Sequence, residues 1–94
     1  MSAYLVVDLD IHDMTSIQDY RSKALPLVGK AGGKLIAIDE SPLELEGWAA
    51  TNMLIIEFPN KHAIRQLFAS PEYAPLAAQR QAAAKSRIIA LDAV

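Results

Sequence analysis

The sequence predicts an α+β fold with element order β-α-β-β-α-β and a four-stranded antiparallel sheet, and three observations predict it. Four apolar stretches rich in β-branched residues, Ala3–Ile11, Lys34–Asp39, Asn52–Phe58 and Arg87–Leu91, read as strands. Apolar residues recur with helical period between the first and second stretches and again between the third and fourth. The 94 residues enclose one apolar core and are too few for two, so residues 1–94 are expected to form one domain.

The first strand has two different faces, because Leu5, Val7, Leu9 and Ile11 alternate with Tyr4, Val6, Asp8 and Asp10. Asp13 or Thr15 supplies a short oxygen acceptor to cap the helix that follows. At 100° per residue Ile17, Tyr20, Ala24, Leu27, Val28 and Ala31 fall in one arc of about 100°, the width of a helix lying on a sheet. Pro26 projects opposite that arc, where its freed carbonyl can turn to water, so one bent helix is expected. Gly32-Gly33 ends it and returns the chain into the second strand.

Ser41-Pro42 marks a turn, and the strict alternation of Leu43-Glu44-Leu45-Glu46 reads as a short extension or edge strand closed by Gly47. Asn60 caps a second helix carrying Ile64, Leu67 and Phe68, and Ser70-Pro71 restarts it. The second piece places Tyr73, Leu76, Ala77, Arg80, Ala83 and Ala84 on one side. In the split βαβ arrangement each right-handed crossover lays its helix on the same side of the sheet, giving a ferredoxin-like fold with one bare sheet face. Val6, Met53 and Ile55 on that face are too apolar to stay in water, so it is expected to meet a second copy of the chain as a homodimer.

Charge and composition narrow the partners. Nine basic and eleven acidic residues give a net charge of −2, with no run of like charge longer than two, which argues against nucleic acid or an anionic membrane as partner. With no cysteine there is no disulfide, thiolate nucleophile or cysteine-based metal site, and no paired-histidine spacing replaces it. No metal or cofactor is expected. The start of the chain lacks a basic region, and Asp8 and Asp10 break the apolar stretch behind it; a cytoplasmic address is compatible.

Gly32-Gly33, Leu45-Glu46-Gly47, Glu57-Phe58-Pro59 and Ser70-Pro71-Glu72-Tyr73, followed by Leu76 and Arg80, recur in an order that resembles the domain of unknown function 1330 family over essentially the whole chain. The resemblance implies the dimeric α+β barrel superfamily, in which two sheets pack their bare faces together. It implies no activity. The wider superfamily includes cofactor-independent oxygenases, lactone isomerases, haem-degrading enzymes and ligand-sensing modules, so function must come from the site.

Five residues are candidates for that site: Asp8, Tyr20, Glu57, Tyr73 and Arg80. Arg80 interrupts a small, apolar helix stripe beside Tyr73, and a charge there needs a partner. It reads either as a guanidinium for a ligand carboxylate or enolate, or as one half of an internal ion pair with Asp8, Glu57 or a neighbouring carboxylate, the commoner use of such a residue. Asp8 and Glu57 lie in apolar strands and would form an acid–base pair if strand pairing brought them together. Otherwise each accepts a hydrogen bond from Arg80, Tyr20 or a facing strand. Tyr20 and Tyr73 read as core aromatics whose hydroxyls are tethered to a carboxylate. His12 reads as a solvated loop residue and Trp48 as a cover over a sheet edge or an interface. The expectation is a small organic molecule, with an anion as one option, held between sheet and helices. The alternative is a cofactor-independent oxygenase or isomerase acting on a small acidic or phenolic metabolite.

Overall fold

A computed structural model describes residues 1–94. The elements are β1 (Ala3–Ile11), α1 (Met14–Lys30), β2 (Lys34–Asp39), β3 (Asn52–Phe58), α2 (Lys61–Ala69), α3 (Ala74–Ala83) and β4 (Ala84–Asp92). The strands form one antiparallel sheet in the order β2-β3-β1-β4, the ferredoxin-like topology.

Local chemistry accounts for the helix ends. Asp13 caps α1 by accepting from the Ser16 amide at 3.1 Å, and Asn60 caps α2 by accepting from the Ala63 amide at 2.9 Å. Gly32, at φ +85°, terminates α1: its amide bonds to Gly29 O and that of Gly33 to Val28 O, the paired bonds of a Schellman end. Pro26 is accommodated within α1 on its exposed side.

The period-two reading of β1 decides what each sheet face does. Leu5, Val7 and Leu9 point to the helices and join Ile56 and Phe58 of β3, Ile17 and Ala24 of α1, Ile64 and Leu67 of α2, and Leu76 of α3 in one core. The opposite face carries Val6 between Ile55 and Ile89, and Tyr4 between Glu57 and Leu91. Ile89 is 64% exposed there. No helix is long and apolar enough to cross a membrane.

Two expectations are corrected. Residues 43–46 do not form a strand; they lie in the irregular connection between β2 and β3, with Leu43 and Leu45 exposed. Alternation alone could not make them one, because no strand edge pairs with them. Ala84 begins β4 instead of ending the helix, and its amide still bonds to Arg80 O. Ile36 sits at a register shift between Leu35 and Ala37, so Leu35 and Ile38 both reach the helix side of the sheet.

Candidate functional site

Between α1, α2, α3 and the sheet lies a cavity of about 140 Å³. Its floor is Leu5, Val7 and Leu9 of β1 with Leu54 and Ile56 of β3. The exposed side chains of Leu25, Leu35 and Ile38 stand at its open side, where β2 has no helix over it. Of the 17 residues lining it 15 are hydrophobic, and the other two are Arg21 and Arg80.

The polar end of the cavity is built by α1 and α3. Tyr20 and Tyr73 share a hydrogen bond between their hydroxyls at 2.6 Å, with the rings edge-on at a centroid distance of 6.4 Å. Burial, with the hydrogen bond to Tyr73 adding to it, pushes the Tyr20 hydroxyl above the ordinary phenol range; the nearby Arg80 charge pulls the other way. The Tyr20 phenol is therefore neutral at pH 7.

Arg80 is only 5% exposed, and its Nη1 donates to Ser86 Oγ at 2.7 Å. No carboxylate lies within 4 Å of it: the ion pairs of this chain are Lys23–Asp19 and Lys61–Asp92, both at the surface. The internal ion pair expected from the sequence does not form. Arg80 occupies the last turn of α3, where the helix dipole favours a cation by about 0.3–1 kcal/mol. Burial of an ion costs several kcal/mol, so the dipole offsets only part of it. Its Nε is buried without a partner, as is that of Arg21.

The five sequence candidates separate into two groups. Tyr20, Tyr73 and Arg80 come together at the cavity. Asp8 and Glu57 lie on the opposite, bare face, because Asp8 alternates out of phase with Val7 and Leu9 and Glu57 pairs with Tyr4. They stand four β1 positions apart, about 13 Å at the strand rise, and form no acid–base pair. Asp8 Oδ1 accepts from the Thr51 amide at 3.1 Å and from Thr51 Oγ1 at 3.0 Å, and Oδ2 accepts from Trp48 Nε1 at 3.3 Å. It thereby ties the β2–β3 connection across the bare face. The tyrosine hydroxyls bond to each other, not to a carboxylate. His12 Nε2 meets Ala82 O at 3.1 Å, joining the end of β1 to the end of α3.

Arg21 was missed in the sequence. Its signal was available: on the α1 wheel it lies about 20° beyond Val28, at the margin of the apolar arc, where a long side chain can bend inward.

The family model described as Domain of unknown function (DUF1330) matches residues 2–94. No curated protein matches the sequence. Among solved structures, a protein of unknown function from Rhodopseudomonas palustris superposes with a TM-score of 0.85 at 20% identity, over 99% of this chain and 82% of its own. The cofactor-independent oxygenase SnoaB from Streptomyces nogalater gives a TM-score of 0.73 at 15% identity, over 99% of this chain and 93% of its own. A dimeric ferredoxin-like protein of unknown function from Jannaschia sp. gives 0.73 at 15% identity, over 99% and 100%. At such identities these likenesses speak for the fold alone.

Proposed function

This chain belongs to the DUF1330 family, and from that footing we propose that it is a homodimeric protein that binds a small organic molecule in the cavity between sheet and helices. The observation that carries the reading is the cavity itself: about 140 Å³, apolar on nearly every wall, with a polar end made by Tyr20, Tyr73 and Arg80 and a second guanidinium, Arg21, in its lining. Close packing normally leaves few voids larger than a water molecule, so a void of this size with convergent polar groups is the form of a ligand site. Pairing rests on the bare face, where Val6, Ile55, Ile89 and Leu91 form an apolar surface across three strands. The Jannaschia relative, with the same fold, is described as dimeric.

A screen of small aromatic and aliphatic molecules by thermal shift tests the reading, with Ala24→Phe as the blocked control. Ala24 is 4% exposed and lines the cavity, so a phenyl group there fills the space. At least one probe is expected to raise the unfolding midpoint of the parent and not of the variant. No shift from any probe in either protein overturns it.

A second reading, a cofactor-independent oxygenase or isomerase acting on an acidic or phenolic metabolite, is favoured by the hydrogen-bonded tyrosine pair beside Arg80. One phenol proton stays free to meet an oxyanion that Arg80 would hold. Under this reading Tyr20→Phe and Arg80→Met abolish turnover while Asp8→Asn, on the far side of the sheet, does not. Oxygen uptake or product formation that survives both cavity substitutions removes it.

A further inference from the structure

We propose that the molecule taken into this cavity is a small monocarboxylate with a single ring or a short apolar chain, its carboxylate set against Arg80 and Arg21. This rests on the ligand-binding reading above and adds the charge, size and orientation of the ligand.

Two independent observations converge on the same two residues. Arg21 Nε and Arg80 Nε are the buried side-chain polar atoms that find no hydrogen-bond partner in the chain. Arg21 and Arg80 are also the two lining residues of the cavity that are not hydrophobic. Buried polar groups in folded proteins are nearly always paired, and two guanidinium side chains that line one cavity, each with an unpartnered buried Nε and neither with a carboxylate, mark that cavity as the place where a counter-charge belongs. The acceptor must bring negative charge, because no carboxylate of the chain lies within 4 Å of either guanidinium.

The remaining walls decide what else the ligand carries. The lining holds no carboxylate, so an ammonium group has nothing to meet, and a polyhydroxylated ligand would lose its water without replacement. Phosphate alone would leave the apolar walls unfilled. The volume of about 140 Å³ is close to the roughly 150 Å³ that accommodates a benzene ring. Tyr20 and Tyr73, which use one proton on each other, leave the other to donate to a second ligand oxygen.

The test is calorimetric titration of the full chain with benzoate, benzamide, toluene and inorganic phosphate. Benzoate is expected to bind most tightly. Arg80→Met is expected to weaken it about ten- to hundredfold, the loss of one charge-assisted hydrogen bond, while toluene binding survives and shows the cavity intact. Arg21 is partly exposed, so Arg21→Met supplies a second variant independent of the deeply buried site, with a smaller loss for benzoate alone. Benzamide or toluene binding as tightly as benzoate overturns the charge assignment and leaves the cavity reading standing. Phosphate displacing benzoate at equal concentration overturns the carboxylate class. If no probe binds, the monocarboxylate assignment falls, and the wider ligand-binding reading stands or falls on the thermal-shift screen.

Discussion

Tyr20 Oη lies 2.6 Å from Tyr73 Oη, so a residue of the first helix and a residue 53 positions later close the polar end of one cavity. Neither hydroxyl meets a charged acceptor, and Tyr20 stays protonated at neutral pH because burial raises its value. The linkage has a definite sign. The folded-state value lies above the ordinary one of 10.0, so the stability it contributes is complete below pH 10 and is lost as pH rises beyond it. Urea unfolding at steps from pH 8 to pH 11.5 is expected to show an alkaline decline that is shallower in Tyr20→Phe. The same substitution costs about 1–2 kcal/mol at pH 7 by removing a buried hydrogen bond. Identical alkaline declines in the two proteins would contradict the assignment.

Ile89 stands beside Val6 on the bare face and is 64% exposed. A glutamate at this position would put a charge into the middle of the proposed dimer contact without touching the core. Light scattering at micromolar concentration is expected to give a dimer mass for the parent and a monomer mass for Ile89→Glu. A monomeric parent would remove the pairing from the proposed function.

Gly33 and Gly29 make a matched pair of tests on α1 and its exit. A Cβ at Gly33 would lie 2.5 Å from Val28 Cγ1 and 2.9 Å from both Phe58 Cε2 and the Val28 carbonyl oxygen. Gly33→Ala is therefore expected to destabilise by about 1–3 kcal/mol, as overpacking does. A Cβ at Gly29 meets nothing within 4 Å, and Gly29→Ala is expected to stabilise the helix by about 0.5–1 kcal/mol. Denaturant midpoints for the two variants should move in opposite directions.

Asp8 holds Trp48 and Thr51 across the sheet from the cavity. Asp8→Ala leaves the Thr51 amide without its acceptor and is expected to cost about 2 kcal/mol. Hydrogen exchange should accelerate in residues 40–51 while ligand titration at the cavity is unchanged. Loss of ligand binding with intact stability would restore Asp8 to the site.

The pattern of strands and helices was legible because each element announces itself locally. Asp13 and Asn60 cap, Gly32-Gly33 terminates, and period two in β1 separates Val7 from Asp8. The candidate site was legible only in part. Tyr20, Tyr73 and Arg80 stood out as polar groups in apolar stripes and do meet. Asp8 and Glu57 stood out for the same reason and do not join them. Composition around a residue tells that it is enclosed, but not by which side of the sheet.

The order of residues by itself determined the alternation of β1, the ends of α1 and α2, and the apolar stripes that must be buried, since these follow from backbone conformation and spacing along one segment. Only the tertiary structure decided that Arg80 has no carboxylate, that Arg21 lines the same cavity, and that a void separates the helices from the sheet floor. The physical reason is that charge pairing and packing density depend on distances between segments far apart in the chain. A side chain's own neighbours in sequence do not set those distances.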